Sequence, residues 1–393
     1  MSKSYERIFL VRGKRTPFGK FGGSLKDITP VDLAVIASKS LISEMKLDVL
    51  KIDQVLLGNV VPSSTDTVYG GRHLALKLGC RLETPGLVLN RLCGSGIEAI
   101  LSAVRLIKLG EAQCVLAAGT ENMSMVPHLT YGSRFGTKYG ALKSVDMLLD
   151  ALTDQYAQAP MGVTAENLAE KFDITREQCD VFSFHSHLRA TAAYKSGLLQ
   201  SEIAPVTLRK GFCDRDEHLR DDVSLDEMKS MKSNFKTDGV VTAASASGIV
   251  DGAAAVIIAS ESFIKKEGLI PLAEIIDGHV VGVDPKIMGI GPSPAIKGLL
   301  KKNNMTLEQI DLFEINEAFA GQTLSCVKDL NIPNEKLNIW GGAIALGHPL
   351  GASGVRISNT LARQLAHQKL NYGIASACIG GGQGIAILLK RCE

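Results

Sequence analysis

The chain has 393 residues and a nearly balanced charge, with 43 Lys and Arg against 41 Asp and Glu for a net charge of +2. A chain of this length can bury a large core and predicts two or three domains, while the balanced charge, without long runs of one sign, argues against a nucleic acid partner. The longest apolar stretch, Ala253 to Ala259, is too short to cross a bilayer, so we also expect no membrane span.

The cysteines and the N-terminal residues bear on the compartment. Eight cysteines are scattered along the chain without a C-x-x-C pair, which disfavours a zinc cage or a disulfide scaffold and fits a reducing compartment. Residues 1–7 are polar and lead directly into an apolar run, without the apolar core and cleavage site of a secretory signal. These features predict a cytoplasmic protein, with the mitochondrial matrix as the alternative.

Short apolar runs alternate with segments of helical spacing along most of the chain, a pattern typical of an α/β fold with mostly parallel sheets. Ile8 to Val11 predicts the first strand. Thr29 and Pro30 then predict a helix start, with threonine as the N-cap and proline at the first helical position. Val55 to Leu57 predicts the next strand.

Residues 90–97 stand out because they join a predicted strand to a predicted helix that ends at Gly110. Cys93 lies at the N-terminus of this helix, where amide donors and the helix dipole can lower the pKa of a thiol and increase its thiolate fraction. Gly94 and Gly96 keep side chains away, so that a reacting group can approach the backbone. These features make Cys93 a candidate nucleophile.

Two other interpretations of this turn stay open at this point. A free cysteine is commonly a small, inert residue of the core. Residues 94–99 also match the G-x-G-x-x-A pattern of a dinucleotide-binding turn, which needs an acidic partner for the ribose at the end of the next strand. Glu121 is the candidate for that partner, and the protein would then be a nucleotide-binding oxidoreductase.

The composition of the chain changes between about Thr120 and Val240, where residues are more polar and turn-forming residues are more frequent. Capping-box patterns that begin at Thr175 and at Ser224 predict helices in this part. The apolar strand pattern resumes only after Val250. We therefore predict an inserted, largely helical and loop-rich domain.

The last third of the chain repeats the first. Asp53 begins a strand pattern that recurs at Asp311. Cys93 follows Asp53 at about the same sequence separation as His348 follows Asp311, and each lies on a glycine-rich turn before a helix. Such a repeat predicts two similar α/β halves in a layered αβαβα arrangement. The predicted units are an N-terminal half at 1–119 completed by 250–270, an inserted loop domain at 120–249 and a C-terminal half at 271–393.

In open α/β sheets the site lies on loops at the C-terminal ends of strands, so matching halves can bring together Cys93, Asn316, His348 and Cys378. The glycine-rich surroundings of His348 leave its imidazole as the polar tip of its turn. Three consecutive glycines at 380–382 offer N–H groups to a developing oxyanion, and a tight turn without a ligand is the plain alternative.

Two thiols and one imidazole suggest a division of roles. A cysteine paired with a histidine is a nucleophile that can carry an acyl group as a thioester. A second thiol has little use in hydrolysis, but its pKa suits proton transfer with a carbon acid or an incoming thiol. The residues predict acyl transfer between a thiol and a carbon centre. A cysteine hydrolase that uses Cys93 and His348 with water as acceptor is the alternative, and Cys378 distinguishes the two.

At these residues the chain resembles the thiolases, the acetyl-CoA acyltransferases, over essentially its full length, and in particular the degradative 3-ketoacyl-CoA type. The motifs that carry the resemblance are Asn90-Arg91-Leu92-Cys93-Gly94-Ser95-Gly96, Asn316-Glu317-Ala318-Phe319, Gly347-His348-Pro349 and Cys378-Ile379-Gly380-Gly381-Gly382.

The resemblance implies a mechanism. Cys93, activated by His348, would attack the 3-keto carbon of a 3-oxoacyl-CoA and become acylated. Cys378 would protonate the departing acetyl-CoA enolate and then deprotonate incoming coenzyme A, which releases the shortened acyl-CoA; the reverse Claisen condensation makes acetoacetyl-CoA. Asn316 would hold a water that forms one oxyanion hole with His348, and the N–H groups of Cys93 and Gly380 would form the other.

The resemblance also implies the partners. Coenzyme A and acyl-CoA would be substrates, with no permanently bound cofactor and no metal. Arg220 would border the nucleotide end of coenzyme A, where a guanidinium suits an anionic group, and Ser247 would border its pantetheine arm. The assembly would be a homodimer or a homotetramer, with residues 127–142 as a tetramer-forming loop.

The chain departs from the family pattern at a few positions near the expected coenzyme A site. These departures leave the four catalytic candidates intact and bear on pocket shape, acyl-chain preference and affinity for coenzyme A. They are Ala244 for a glycine, Ser245 for an asparagine, Val223 for a hydroxyl residue, Pro160 for the histidine of biosynthetic relatives and Trp340 for a small polar residue.

Overall fold

The computed structural model describes residues 6–392, which fold into two α/β halves around a shared core. The strands are β1 (Ile8–Arg15), β2 (Gly19–Lys20), β3 (Gln54–Gly58), β4 (Gly86–Leu89), β5 (Cys114–Glu121), β6 (His128–Thr130), β7 (Ser144–Asp146), β8 (Thr153–Asp154), β9 (Ala159–Pro160), β10 (Val206–Thr207), β11 (Phe212–Cys213), β12 (Val250–Ser260), β13 (Ala273–Gly282), β14 (Leu312–Ile315), β15 (Tyr372–Ile379) and β16 (Gln383–Arg391). The α-helices are α1 (Pro30–Met45), α2 (Gly70–Leu78), α3 (Ser95–Lys108), α4 (Met147–Ala151), α5 (Met161–Lys171), α6 (Arg176–Lys195), α7 (Leu225–Ser230), α8 (Glu261–Glu267), α9 (Pro292–Lys302), α10 (Ala320–Leu330), α11 (Ala343–Leu346) and α12 (Leu350–Gln368).

The large strands are hydrogen-bonded in the order β14-β15-β16-β13-β1-β12-β5-β3-β4, and the two halves join where β1 pairs with β13 over two residues. β3 runs parallel to β4 and β5, and β14 runs parallel to β15. The other pairs of this order are antiparallel. The expectation of mostly parallel sheets is therefore wrong. One reason is the tight turn at 380–382, which makes β15 and β16 a hairpin and so forces them antiparallel.

The core is built in five layers, which confirms the expected αβαβα arrangement. Helices α1, α2 and α8 pack on the outer face of the N-terminal half, and α9 and α10 pack on the outer face of the C-terminal half. Helices α3 and α12 lie between the two halves and share one apolar cluster with strands of both. β12 is buried at every position, because helices cover both of its faces, and this explains its unbroken apolar run.

The predicted repeat is visible in the hydrogen bonds as well as in the order of elements. The carboxylate of Asp53 accepts the N–H groups of residues 113 and 114 at 2.8 and 3.1 Å, where β5 begins. The carboxylate of Asp311 accepts those of residues 371 and 372 at 2.8 and 2.9 Å, where β15 begins. In each half, therefore, an aspartate before one strand accepts two backbone N–H groups at the start of the parallel neighbouring strand.

The two middle helices cross at glycines. A Cβ on Gly96 would lie 2.4 Å from the backbone nitrogen of Val355, and one on Gly354 would lie 2.3 Å from that of Ile97. Gly96 therefore permits close packing of α3 against α12. The expectation that it opens the backbone to a reacting group is wrong.

The chain between β5 and β12 forms short hairpins and the helices α4 to α7. Thr175 makes the predicted capping box with Gln178, whereas Ser224 caps the N–H of Glu227 without the reciprocal bond. The boundaries of the inserted domain at 120–249 stay a prediction, as do those of the two halves. Among the described helices, none combines the length and the apolar character that crossing a membrane requires.

Candidate active site

Cys93 lies in a tight bend between β4 and α3. Leu92 has a φ of +46°, in the left-handed region that side chains rarely adopt. Ser95 stabilises the bend because its hydroxyl accepts the N–H of Arg91 at 2.8 Å and donates to the carbonyl of Leu92 at 2.7 Å. These bonds hold Cys93 at the N-terminus of α3, the place that the sequence predicts.

The electrostatics of Cys93 differ from the expectation. Burial raises the pKa of the Cys93 thiol to about 11, and hydrogen bonds from the N–H groups of Gly380 and of Cys93 itself lower it only in part. The nearby carboxylate of Glu121 raises it further. The expectation of an increased thiolate fraction at neutral pH is therefore wrong, because desolvation outweighs the helix terminus.

The end of β15 packs directly against the Cys93 turn. A Cβ on Gly94 would lie 2.5 Å from Cδ1 of Ile379, so glycine is needed for this approach. The N–H of Gly380 reaches the Cys93 thiol. Gly381 and Gly382 have φ values of +77° and +82° and form the hairpin turn. One of the three predicted amides thus faces the site, and the other two glycines shape the turn.

Cys378 is the penultimate residue of β15 and fully buried, so it lies in a strand and not on the expected loop. It packs with Met288 and Ala318. Burial raises the pKa of the Cys378 thiol well above its usual range, and the charge of Cys93 raises it further. Its neighbour Ile379 packs on Gly94, and the N–H of Gly380 reaches the Cys93 thiol, so Cys378 lies at the end of β15 that meets the Cys93 turn.

His348 and Asn316 come together from the C-terminal half. Nε2 of His348 lies 3.4 Å from Nδ2 of Asn316, and Nδ1 lies 2.5 Å from Oγ of Ser353 on α12. Burial lowers the pKa of His348 to about 3, and the charge of Arg356 contributes. The imidazole is therefore neutral at physiological pH and can accept a proton.

Asn316 connects this pair to β15. It directly follows β14, and its N–H donates to the carbonyl of Ser376 at 2.9 Å, two residues before Cys378. Its Oδ1 is buried and has no hydrogen-bond partner among residues 6–392. A buried amide oxygen of this kind is available to a polar group that enters the site.

A cavity of about 140 Å³ lies within the inserted segment and is lined by Arg220, one of the two residues expected at coenzyme A. Ser247, the other, is outside its lining, and its N–H donates to the carbonyl of Ala318 at 3.0 Å. Its neighbour Gly248 packs on His218 of the cavity and accepts the N–H of His348. The chain at 245–248 therefore runs from the cavity to the backbone of His348. The cavity is lined by His187, His218, Arg220, Asp222, Val223, Ser224, Glu227, Met228, Met231, Ala243, Ala244 and Ile344.

The departures from the family pattern fall into different places. Ala244 and Val223 line the cavity. The hydroxyl of Ser245 turns inward, where it donates to the carbonyl of Val240 at 2.9 Å. Trp340 is buried in an apolar cluster away from the cavity. Of these four departures, only Ala244 and Val223 change the shape of the cavity.

Glu121 shows why the dinucleotide interpretation is wrong. It is fully buried, and its two oxygens accept N–H groups from Val60, Val61 and Gly351 and from the amide of Asn59 at 2.9–3.2 Å. A carboxylate with these partners cannot bind a ribose.

Sequence reasoning missed two residues of this region, Ser353 and His187, and gave a third, Glu121, the wrong role. Ser353 contacts the imidazole of His348, Glu121 joins the loops around Cys93, and His187 lines the cavity. Ser353 lies four residues after the Gly347-His348-Pro349 motif, and this closeness in sequence is the signal that could have found it. Nothing in the sequence separates His187 from a surface histidine of α6.

The fold has two like halves, and Cys93 packs against the start of α12 next to the neutral His348 and against the end of β15 that contains Cys378. This arrangement defines a cysteine-dependent acyl-transfer enzyme. Two family models cover nearly the whole chain: "Thiolase, N-terminal domain" matches residues 8–262 and "Thiolase, C-terminal domain" matches residues 269–391. The chain belongs to the thiolase family of acyltransferases, as the sequence motifs predict.

Similar proteins agree with this assignment. The human mitochondrial 3-ketoacyl-CoA thiolase is 47% identical over 388 residues, which are 98% of each chain. Its crystal structure in complex with CoA matches the fold with a TM-score of 0.97 over 98% of both chains. A probable acetyl-CoA acyltransferase of Staphylococcus aureus (strain COL) is 44% identical over 392 residues, 98% of this chain and 99% of the relative.

Proposed function

We propose that the protein cleaves 3-oxoacyl-CoA with coenzyme A to give acetyl-CoA and a shortened acyl-CoA, and that it also catalyses the reverse Claisen condensation. The observation that carries this proposal is that the end of β15, which contains Cys378, packs against the Cys93 turn and places the N–H of Gly380 on the Cys93 thiol. The names of the similar proteins support it, and they favour a role in fatty acid β-oxidation.

In the first half-reaction, His348 takes the proton of the Cys93 thiol, and the sulfur attacks the 3-keto carbon. The bond between C2 and C3 of the substrate breaks, so that Cys93 carries the shortened acyl group. The electron pair stays on the acetyl-CoA enolate, which Cys378 protonates at carbon. The high pKa of the Cys378 thiol suits this step, because a carbon acid is also weak.

In the second half-reaction, the Cys378 thiolate removes the proton of incoming coenzyme A. The new thiolate attacks the thioester on Cys93, acyl-CoA leaves, and the Cys93 sulfur recovers its proton from His348. The N–H groups of Cys93 and Gly380 already point at the Cys93 sulfur and suit an oxyanion that develops on the acyl carbon. Asn316 and His348 would support the enolate oxygen of the other half.

The test is acetoacetyl-CoA with coenzyme A as acceptor. We expect the protein to form two acetyl-CoA, Cys93→Ala to lose all turnover, and Cys378→Ala to lose thiolysis while Cys93 can still be acylated from an acyl-CoA. A cysteine hydrolase would instead release free acid, and Cys378→Ala would leave that release intact. Intact acetoacetyl-CoA after incubation with folded wild-type protein would refute the proposal. A series of longer 3-oxoacyl-CoA substrates then defines the chain-length preference.

For coenzyme A we propose the cavity that contains Arg220, with the pantetheine arm along Ser247 toward His348. The support is that residues 245–248 connect the cavity wall at His218 with the backbone of His348. Arg220→Ala should raise KM for coenzyme A with little change in kcat. Lys210→Ala, which removes an exposed charge outside the cavity lining, serves as the control.

For the assembly we propose a homodimer that pairs through β4, the strand at one end of the sheet order. Leu87 on this strand and its neighbour Leu82 are exposed, and an open apolar edge favours pairing with a second copy. Sedimentation velocity tests it: Leu87→Lys should give monomers, and Ile270→Lys, at an exposed isoleucine elsewhere, should not.

The loop at 127–142 is our candidate for the contact that turns dimers into a tetramer. Phe135 and Tyr139 are 96% and 98% exposed there. Exposed aromatic side chains close together on a loop are typical of a contact surface. A dimer mass for the wild-type protein would exclude this contact. If the mass is tetrameric, Phe135→Ser should reduce it to a dimer.

For the location we propose the cytoplasm, with the mitochondrial matrix as the alternative that the mitochondrial name of the human relative favours. Cell fractionation with an antibody against the protein decides between the two compartments.

A further inference from the structure

Ser353 contacts Nδ1, one of the two ring nitrogens of His348. Its Oγ lies 2.5 Å from Nδ1, and both residues are buried. The same hydroxyl lies 3.0 Å from the carbonyl of Pro349, one turn back along α12, and donates its hydrogen to it. A serine hydroxyl has one hydrogen, so Oγ is left as the acceptor toward the imidazole.

The other ring nitrogen has an independent neighbour. Nδ2 of Asn316 lies 3.4 Å from Nε2 of His348, and an amide NH₂ is only a donor. Nε2 therefore presents a lone pair to its surroundings. Two residues from different elements, Ser353 on α12 and Asn316 after β14, thus select the same arrangement, with hydrogen on Nδ1 and none on Nε2.

We propose that Ser353 is a positioning residue that fixes His348 in the Nδ1–H tautomer, so that Nε2 is the base for Cys93. The inference deepens the proposed function, on which it rests. The proton of the Cys93 thiol moves to Nε2, while the other hydrogen stays on Nδ1, which donates it to the Ser353 hydroxyl oxygen. The imidazolium that results keeps a hydrogen bond on its far side, and its new Nε2–H can donate to the substrate oxygen.

The experiment compares two serines of the same helix. Ser353→Ala removes the acceptor for Nδ1–H. Ser358→Ala is the matched control, because Ser358 is equally buried and makes the same bond one turn back, to the carbonyl of Gly354 at 2.8 Å, but is not among the partners of the imidazole. Ser353→Thr keeps a hydroxyl and tests whether the function of that group is restored.

We expect Ser353→Ala to lower kcat for acetoacetyl-CoA thiolysis roughly 10- to 100-fold, because losing the partner of a catalytic or ligating histidine has effects of this order or larger. KM should change less than about twofold, since Ser353 would not touch the substrate. Ser358→Ala should keep its kcat, and Ser353→Thr should recover part of it. A merely structural role of Ser353 predicts equal losses in the two alanine variants.

A second measurement does not depend on activity. Nitrogen-15 NMR of protein labelled at histidine distinguishes Nδ1–H from Nε2–H by the shifts of the two nitrogens. The wild type should show hydrogen on Nδ1 of His348, and Ser353→Ala should show a mixture. Hydrogen on Nε2 in the wild type, or equal kcat for the two alanine variants, would overturn the proposal. An inactive wild type with the Nδ1–H signal would refute the proposed function and leave the tautomer assignment standing.

Discussion

The protonation state of Cys93 gives the sharpest test of how this site works. Its pKa is about 11 and that of His348 is about 3, so the proton stays on sulfur in the resting enzyme. The prediction is that wild-type protein reacts slowly with iodoacetamide at neutral pH. The rate should rise steadily into the alkaline range, because the thiolate is the reactive form.

The magnitude follows from the pKa. A thiol with a pKa of about 11 is ionised in about one molecule in 10⁴ at pH 7 and about one in 10 at pH 10. An ordinary cysteine with a pKa of about 8.5 is ionised in roughly 3% of molecules at pH 7 and levels off above pH 9. The alkylation rate of Cys93 should therefore rise about tenfold for each pH unit from 7 to 10.

The assay measures the rate of the Cys93 adduct by mass spectrometry of peptides, which separates it from the other seven cysteines. His348→Ala is the control: a neutral imidazole does not stabilise a thiolate, so the variant should keep the wild-type pH profile while losing thiolysis. A wild-type rate that levels off near pH 8, and that falls at neutral pH in His348→Ala, would show a resting thiolate–imidazolium pair. That result would refute the reasoning.

Four further changes test the packing around the site and the shape of the cavity. Gly96→Ala places a Cβ 2.4 Å from a backbone nitrogen of α12 and should lower the free energy of unfolding by about 1–3 kcal/mol in urea titration. Ala244→Gly enlarges the cavity and should lower KM for coenzyme A in steady-state kinetics. Ser245→Ala removes a buried hydroxyl turned away from the cavity, so it should lower stability and leave that KM unchanged. Glu121→Gln turns an NH₂ group toward N–H donors and should lower the melting temperature, since a lost buried acceptor costs about 1–3 kcal/mol; an unchanged melting temperature would contradict this.

Much of the fold is predictable from the sequence because its signals are local. Thr29 caps α1 as its position before a proline predicts, and the apolar run of β12 has the length of a buried strand. The repeat of Asp53 at Asp311 correctly indicated two halves of like design. Whether neighbouring strands run parallel or antiparallel was harder to predict, because it depends on connections such as the turn at 380–382 and not on the pattern of residues in the strands.

The composition of the site was predictable only through its motifs, and its electrostatics were not. A helix N-terminus and two amide donors near Cys93 all favour a thiolate, and each of them can be read from the sequence. Burial acts in the opposite direction and is larger. Burial depends on how closely Gly94 lets β15 approach, which is a property of packing between residues far apart in the chain.

The glycines of this chain show how closely packing and chemistry are linked. Gly96 and Gly354 let α3 and α12 cross, and these helices begin next to Cys93 and His348. The crossing thus fixes the spacing between a nucleophile from one half and a base from the other. A thiol that stays protonated at rest reacts only when the base is within reach of its proton. The close crossing of the middle layer is therefore a requirement of this chemistry as well as of the core.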